Sequence, residues 1–376
     1  MRASPFDFYR GATSVMASDL GPLATCGLEV QLCGDAHLLN LGAYGAPDGR
    51  LVFDLDDFDE SCRGPFEWDL KRLATSFVVG GRVAGHSDAD CISCVRSLVR
   101  TYREGLDRLS RMPVVEAARL EITPRSTGKR LAPVFTEAAR DPPGELVKKA
   151  TVTRSVGHSR FRSAPPHQFR MKRLEVEKVL GSLAEYRTTL GPSGLQMLDA
   201  YVPFDTAFRV VGTGSIGVDN YLILLYGSGV DDPLFLQLKE EDSSCWRPYL
   251  PTAVDYERRY PHQGRRTAEG QLRTQTVADP FLGWTRIGGK DFVVRQWSDH
   301  KATINVGMLR KRAVLEDYAA LCGQVLAKAH ARTGDAAMLS GYCGRSERLD
   351  AAVASFAMAY AEQTERDYER FRKSIS

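Results

Sequence analysis

The strongest constraint on the fold is a change in hydrophobic pattern near residue 203. Before that point, apolar residues recur at helical spacing, as at Leu70, Leu73 and Phe77. From 203 to 300, short apolar runs alternate with glycine- or aspartate-rich turns, which is typical of short antiparallel strands. Helical spacing then returns. This order of helices, small sheet and helices predicts an α+β protein.

The individual elements follow from the same periodicities. We predict helices over residues 5–20, 68–112, 171–190, 262–277, 307–333 and 347–373. We predict strands at residues 28–32, 51–55, 208–211, 221–225, 234–238, 281–287 and 291–297. A glycine, proline and aspartate turn is expected just before residue 51, and no regular element is expected over residues 113–170, which are basic and contain prolines.

Composition argues against several classes of protein. Apolar residues make up 43% of the 376 residues and charged residues 26%, which is ordinary for a globular chain. The net charge of +3 gives no reason to expect a nucleic acid or a membrane as partner. No apolar run follows Met1 as in a signal peptide, and none reaches the length of a membrane span. The eight cysteines include one close pair, Cys91 and Cys94, in a helical pattern, so we expect reduced thiols and a cytoplasmic protein.

The first candidate site is the segment Gly34–Asn40 (GDAHLLN), which follows a predicted strand. Asp35 and Asn40 are five positions apart on a tight loop and can converge on one point. Phosphoryl transfer uses such a pair, because the aspartate orients the acceptor hydroxyl and the asparagine holds Mg²⁺. An Asx-rich turn without catalytic function has the same pattern.

The second candidate is the acidic segment Phe53–Glu60 (FDLDDFDE), which has five carboxylates in its last seven positions. Mg²⁺ prefers hard oxygen ligands, and a carboxylate at the end of a strand is a usual donor. An acidic surface turn is the alternative, although the apolar residues between the acids indicate partial burial. A calcium loop is disfavoured because the EF-hand spacing of glycine and glutamate is missing.

The third candidate is the glycine-rich segment Gly212–Gly217 (GTGSIG). In a dinucleotide-binding fold this motif leads from a strand into a helix. Here a strand is predicted on both sides, a context that suits a flap over nucleotide phosphates. An ordinary hairpin is the alternative.

The fourth candidate is Lys239, at the end of the strand that follows the glycine-rich hairpin. A lysine in this position can reach phosphate oxygens. Its expected partner is Glu269 on the helix predicted over residues 262–277. An edge-strand lysine is the alternative, but the order of glycine loop, lysine, helix glutamate and two further strands is less easily produced by chance than any one of its parts.

These motifs carry a resemblance to known proteins. The catalytic-loop segment Gly34–Asn40, the acidic segment and Gly64–Leu70 (GPFEWDL) resemble aminoglycoside-phosphotransferase-like kinases. The chain as a whole resembles the bacterial domain-of-unknown-function family 2252, which is itself regarded as kinase-like. Further matching segments are Ser4–Gly11 (SPFDFYRG), Val294–Gln296 and Ala329–Asp335. The resemblance also implies that the chain begins inside the family's usual N-terminal segment.

The resemblance implies a role for each matching residue of the first half. Asp35 would be the catalytic aspartate and Asn40 a Mg²⁺ ligand. Asp57 would be the main metal ligand, with Asp54 and Asp56 as alternatives. A structural role is implied for Asp69, which would fix the catalytic loop through hydrogen bonds to its backbone.

It also implies a binding site for ATP in the second half. Residues Gly212, Gly214, Ser215 and Gly217 would cover the phosphates, Lys239 would bind them, and Glu269 would orient Lys239. Gln296 and Trp297 would form a hinge that contacts the adenine.

The order of these parts implies a circularly permuted kinase-like fold with two lobes, because the glycine loop and lysine follow the catalytic loop. We expect a catalytic-loop and helical lobe over 1–202, a nucleotide-binding β lobe over 203–300, and helices over 301–376 that pack on the helical lobe. The alternative is that the two motif sets belong to unrelated domains.

The expected activity is ATP- and Mg²⁺-dependent transfer of phosphate to a hydroxyl of a small molecule or a protein. Two alternatives stay open: a pseudokinase-like nucleotide-binding module that regulates a partner, and a nucleotidyl transferase on the same fold. A Ser/His/Asp hydrolase is disfavoured because the sequence has no G-x-S-x-G motif. The acceptor is not identified by the sequence, and residues 113–200 are the expected wall of its site.

Overall fold

The structure is a computed structural model. It describes residues 1–46, 49–123, 127, 130–132, 145–152, 159–210, 217–250, 253–297, 301–304 and 306–375.

The N-terminal part begins with two short helices and two small antiparallel sheets. The helices are α1 (Pro5–Gly11) and α2 (Thr13–Leu20). One sheet pairs β1 (Glu29–Leu32) with β4 (Cys62–Pro65). The other pairs β2 (Leu41–Gly45) with β3 (Leu51–Leu55), and β2 also pairs with β13 (Lys301–Thr303) from the second half of the chain. The segment Gly34–Asn40 therefore lies between β1 and β2, and the acidic segment runs from the end of β3 toward β4.

Two long helices follow, α3 (Phe66–Val83) and α4 (Asp88–Ser110), and then the short α5 (Val114–Ala118). The sequence predicted one helix over 68–112. The helix is interrupted because Gly85 has a φ of +91° and Ser87 caps the next helix by accepting a hydrogen bond from the Asp90 amide.

The middle of the chain contains short elements. They are α6 (Glu145–Ala150), β5 (Thr151–Val152), β6 (Arg160–Phe161), β7 (Gln168–Arg170), α7 (Arg173–Gly181), α8 (Leu183–Thr189) and α9 (Pro192–Leu198). β5 and β6 pair with each other, whereas β7 joins the large sheet.

The large sheet has six antiparallel strands in the order β11-β12-β10-β9-β8-β7. Its further strands are β8 (Val202–Arg209), β9 (Asn220–Tyr226), β10 (Pro233–Glu240), β11 (Gly283–Ile287) and β12 (Lys290–Gln296). Between β10 and β11 lie a 3₁₀ turn (Arg247–Tyr249) and the helices α10 (Ala253–Arg259) and α11 (Gln263–Thr274). β10 lies between β9 and β12, and their registers place Lys239 opposite Asn220 and Val293.

After a 3₁₀ turn (Val306–Arg310), the chain ends in α12 (Arg312–Thr333), α13 (Ala336–Cys343) and α14 (Arg348–Ser374). α12 packs along α4 so closely that a Cβ on Gly323 would lie 2.3 Å from the Leu98 carbonyl oxygen.

The apolar core has one large part and several smaller ones. The large part joins the N-terminal helices and strands to α3, α4, α12 and α14, from Phe6 to Ala361. A second part lies under one face of the six-stranded sheet and includes Val179, Tyr186 and Leu198 from α7–α9. Helices that precede residue 202 thus pack on the sheet.

The expectation of an α+β chain with an antiparallel sheet in the second half is confirmed. The turn predicted before residue 51 joins β3 to a strand that the sequence did not predict, β2 at residues 41–45. The strand predicted at 208–211 begins earlier, at Val202. Among the described helices, none is long and apolar enough to cross a membrane.

Candidate functional site

The loop that carries Asp35 is held by the buried carboxylate of Asp69 on α3. Asp69 accepts hydrogen bonds from the backbone amides of Cys33 (2.8 Å) and Gly34 (3.0 Å). His330 on α12 lies 3.5 Å from the same carboxylate. The structural role predicted for Asp69 is confirmed by these contacts.

Gly34 is needed for the shape of this loop. Its φ is +83°, and a Cβ at this position would lie 2.0 Å from the carbonyl oxygen of Glu60. Its own carbonyl accepts a hydrogen bond of 2.7 Å from the indole of Trp246, which is fully buried and stacks on Trp68. Sequence reasoning missed Trp246, which ties the segment after β10 to the catalytic loop.

The Asp35 carboxylate is paired with a buried arginine. Arg72, one turn after Asp69 on α3, lies 2.5 Å from Asp35 Oδ1 and is fully buried. The same guanidinium also donates to the Thr13 hydroxyl (2.8 Å) and the Tyr9 carbonyl (3.2 Å). Asp35 keeps 20% of its side chain exposed, so one oxygen is fixed by Arg72 and the carboxylate still meets solvent.

His37 faces the other oxygen of Asp35, with Nε2 3.8 Å from Oδ2. Its Nδ1 accepts a hydrogen bond from the Leu39 amide, so the neutral ring carries its proton on Nε2, toward Asp35. Burial lowers the pKa of His37 to about 4, and Arg72 acts in the same direction. The ring is therefore neutral at physiological pH.

Asn40 joins the catalytic loop to the acidic segment. Its Nδ2 donates to the Asp35 carbonyl (2.9 Å), and its own carbonyl accepts from the Asp56 amide (3.0 Å). Since Nδ2 is used in this way, Oδ1 is the side-chain atom that is left to bind a cation.

Asp54, which was predicted as an alternative metal ligand, belongs to an ion pair that is buried from solvent. It pairs with Lys328 of α12, and their side chains are 3% and 1% exposed. Lys328 also donates to the Thr276 hydroxyl, and the Leu55 amide donates to Asp54. Because Lys328 already balances its charge, Asp54 is a poor metal ligand.

Lys239 pairs with Asp59 of the acidic segment, 180 residues earlier in the chain. The lysine side chain is 8% exposed and that of Asp59 is 31% exposed. Against the effect of burial, the charges of Asp59 and Asp57 raise the pKa of Lys239. The strand lysine and the acidic segment therefore form one cluster of charges.

The pKa values of the two acids in this cluster, Asp57 and Asp59, are shifted in opposite directions. Burial and the neighbouring charge of Asp59 raise the pKa of Asp57. Burial also acts to raise the pKa of Asp59, but Lys239 outweighs it and lowers that pKa. A bound cation would relieve the repulsion that acts on Asp57.

Two further arginines support the cluster and were missed by sequence reasoning. Arg266 of α11 is fully buried and donates to the carbonyls of Ser61 (2.7 Å), Asp59 (2.6 Å) and Asp242 (2.8 Å). It joins the backbone of the acidic segment to the chain after β10. Arg295 of β12 donates a hydrogen bond to the Gln237 side chain (3.1 Å). Against the effect of burial, the negative charges of Asp56 and Asp57 raise the pKa of Arg295.

The predicted pairing of Lys239 with Glu269 was wrong. Glu269 lies on α11, where its carboxylate bonds to Arg265 (2.6 Å) and Arg273 (3.1 Å), one turn to each side. Helical spacing makes these local partners available without any tertiary contact. The acid that Lys239 contacts is Asp59.

Glu241 is an acid of the cluster that the sequence did not single out. It follows Lys239 by two residues and is 4% exposed. One oxygen accepts from the Thr267 hydroxyl (2.8 Å), whereas Oε1 is buried without a hydrogen-bond partner in the described part of the chain. Burial and the Asp59 charge raise the pKa of Glu241 well above its usual value.

The predicted hinge lies at the end of β12. The Gln296 amide donates to the Asp279 carboxylate (2.5 Å), and the Trp297 amide donates to the Phe235 carbonyl (2.9 Å). The Trp297 ring contacts Phe235 edge-on, and the Arg209 guanidinium lies 4.4 Å from its centre.

A cleft of about 370 Å³ opens beside this point. Gln296 and Arg295 line it from the sheet, Asp56 and Tyr44 from the small sheet of β2 and β3, and Gln275 from the end of α11. Both halves of the chain thus contribute walls to one cavity.

Of the glycine-rich segment, Gly212, Gly214 and Ser215 lie outside the described residues. Gly217 is exposed with a φ of +97°, which a residue with a side chain adopts only with strain. Within the described ranges, no three His, Cys, Asp or Glu side chains are grouped so that they could hold a metal ion.

Comparison with protein families gives one match. The family described as "Uncharacterized protein conserved in bacteria (DUF2252)" matches residues 1–374. The chain belongs to this family. No curated protein matches the chain, and no solved structure matches it either.

Proposed function

We propose that this member of the family is an ATP- and Mg²⁺-dependent phosphotransferase with a circularly permuted, kinase-like arrangement of two lobes. In this arrangement the six-stranded sheet with α11 is the nucleotide lobe. The N-terminal loops with α3, α4 and α12 form the catalytic lobe. The acceptor is a hydroxyl-bearing molecule.

The observation that carries the proposal is the ion pair between Lys239 and Asp59. A phosphate-binding lysine and the acidic segment that holds the metal must lie together, since phosphoryl transfer depends on positioning and on charge stabilisation. The two residues come from motifs 180 positions apart, and the sheet, α11 and the acidic segment all meet at this point. A set of unrelated domains would not require such a meeting.

Asp35 fits the role of the residue that orients the acceptor. Arg72 holds one of its oxygens and the Asp69 hydrogen bonds fix its loop, so the remaining oxygen has a defined position. Neutral His37 adds no charge there. In the reaction, the acceptor oxygen bonds to the γ-phosphorus, the bond from that phosphorus to ADP breaks, and the hydroxyl proton leaves toward Asp35.

The residues fit Mg²⁺ and ATP as follows. Asn40 Oδ1 and the Asp57 carboxylate are oxygen ligands of the kind that Mg²⁺ takes from proteins when phosphates supply the others. When bound, the metal would neutralise charge on the phosphates. Lys239 would bind the same phosphates, which requires its contact with Asp59 to loosen.

Binding of Mg·ATP, measured by calorimetry, tests the proposal. We expect the wild type to bind ATP more tightly with Mg²⁺ than without it, and Asp57→Ala to lose that difference. Asp231→Ala, which removes an exposed carboxylate from a turn, is the matched control and should bind normally. A wild type that does not bind Mg·ATP would contradict the proposal. Normal binding by Asp57→Ala would show that Asp57 is not the metal ligand and would favour Asp56 or Asp59 in that role.

A further inference from the structure

Arg10 is a charged side chain for which the proposed mechanism has no use. It lies in the last turn of α1, within the segment Ser4–Gly11 that was singled out in the sequence. Its Nε is buried without a hydrogen-bond partner, and among the described residues its guanidinium forms no ion pair. A native protein seldom leaves a buried charged donor unpaired, so this atom requires an explanation.

Arg10 lies on a face of α1 that meets the loop of Asp35 and His37. Residues at i, i+3 and i+4 share one face of a helix, which groups Arg10 with Phe6 and Tyr9. The Phe6 ring contacts the His37 ring edge-on at 6.2 Å, and the Tyr9 ring lies 4.5 Å from the Arg72 guanidinium. The face that carries Arg10 therefore covers the catalytic loop.

Electrostatics agrees with this geometry. Burial lowers the pKa of His37, and the positive charges of Arg72 and Arg10 lower it further against the opposing effect of Asp35. Arg10 is thus close enough to His37 to influence its ionisation. His37 in turn has its Nε2 3.8 Å from Asp35.

The charge of Arg10 is not needed to balance Asp35. Arg72 already contacts that carboxylate at 2.5 Å and is itself completely buried. Arg10 as a whole is only partly buried, so part of the residue is exposed to solvent. Near the proposed acceptor position there is consequently a positive charge whose Nε–H has no hydrogen-bond partner among the described residues, and a planar guanidinium suits a carboxylate or a phosphate.

We propose that Arg10 binds an oxyanion of the acceptor while Asp35 contacts the acceptor hydroxyl. The acceptor class is therefore a small molecule that carries both a hydroxyl and a carboxylate or phosphate group. The role of the hydroxyl rests on the proposed function, whereas the anion site at Arg10 can be tested without it.

Three probes with one carbon skeleton test the anion site: glycerol, glycerate and glycerol 3-phosphate. Their binding is measured by calorimetry without nucleotide and at constant ionic strength, because screening would otherwise change with the anion. We expect both anions to bind the wild type more tightly than glycerol does, and the tighter of the two identifies the oxyanion. Arg10→Gln should weaken anion binding about tenfold or more, since it removes charge-assisted hydrogen bonds.

Two variants serve as controls. Arg10→Lys keeps the charge but loses the planar donors, so its anion affinity should lie between those of the wild type and Arg10→Gln. Arg173→Gln removes an exposed arginine from α7 and should bind like the wild type. Among the residues that the structure describes, no hydrogen bond from the Arg10 side chain holds the fold, so the urea midpoint of its variants should not change.

Three results would overturn the inference. They are equal anion affinity in wild type and Arg10→Gln, no preference of the wild type for the anions over glycerol, and an unchanged KM of Arg10→Gln for an active acceptor. Failure of the proposed function has a different signature: Arg10-dependent anion binding persists, but no phosphate is transferred.

Discussion

Asp54 and Asp59 lie five residues apart, and each pairs with a lysine from a distant part of the chain. The Asp54–Lys328 pair is sealed, with both side chains at most 3% exposed. The Asp59–Lys239 pair is open on one side, since Asp59 is 31% exposed and lies next to Asp57, whose pKa is raised by burial and by Asp59. One segment thus contains a structural ion pair and, a few residues on, a pair that a ligand can reach.

The difference shows that charge alone does not identify a site. Both lysines are buried and both face a carboxylate. The second pair has further acids around it, namely Asp57 and Glu241, whose Oε1 has no hydrogen-bond partner among the described residues. We therefore expect the first pair to control stability and the second to control ligand binding.

Lys328→Met should produce the largest loss of stability. The substitution leaves the Asp54 carboxylate buried without its partner, which costs about 3–5 kcal/mol of the free energy of unfolding. Urea denaturation at neutral pH measures the loss. The double variant Lys328→Met/Asp54→Asn buries no unpaired charge and should recover part of it; a loss below about 1 kcal/mol in the single variant would contradict a structural role.

Lys239→Met should have a smaller effect on stability, about 1 kcal/mol, because the partly exposed Asp59 can be hydrated when its partner is lost. The proposed function predicts that Mg·ATP raises the Tm of the wild type, and Lys239→Met should lose this increase. The comparison of the two pairs fails if Lys239→Met is as unstable as Lys328→Met, or if it still responds to Mg·ATP.

Asp57→Asn should give the smallest effect, and one of opposite sign. The pKa of Asp57 is raised in the folded state, so its ionisation opposes folding as the pH rises above the unfolded value of about 4. Replacing it with asparagine should therefore increase the free energy of unfolding at pH 7. The gain should disappear below about pH 4, where the carboxyl is protonated in both states.

Asp59→Asn provides the contrast. Lys239 lowers the pKa of Asp59, so its contribution to stability is present above the unfolded value and is lost as the pH falls below it. The asparagine variant should be less stable than the wild type at pH 7. If the free energy of unfolding depended on pH in the same way in both asparagine variants, the pKa values of Asp57 and Asp59 would not be shifted in opposite directions.

The two polar loops could be predicted from the sequence because their signals are local. Asp35 and the acidic segment follow strands, and Asp69 was correctly expected to hold the catalytic loop. The partner of Lys239 could not be predicted, since the choice between Glu269 and Asp59 depends on how segments 180 residues apart pack together. Glu269 instead pairs with arginines that lie one turn away on its own helix.

Arg72, Arg266 and Lys328 were missed because a charged residue on a helix usually faces solvent. A signal existed for Lys328, which is the one charged residue in the apolar run from Val325 to Ala329. Arg72 also follows Asp69 by three positions, so both point toward the same loop. Arg266 carries no such signal, because its helix has few apolar residues, Ala268 and Leu272.

The most direct test of the central claim uses ATP labelled at the γ-phosphate. Wild type and Asp35→Asn are incubated with Mg²⁺ and with a metabolite extract, and the label is followed in acceptors and in free phosphate. The proposed function predicts transfer by the wild type, at least about a hundredfold lower turnover in Asp35→Asn, and similar ATP affinity in both, since the lost contact forms in the transition state. Equal turnover in the two proteins, or no transfer by a wild type that binds Mg·ATP, would contradict it.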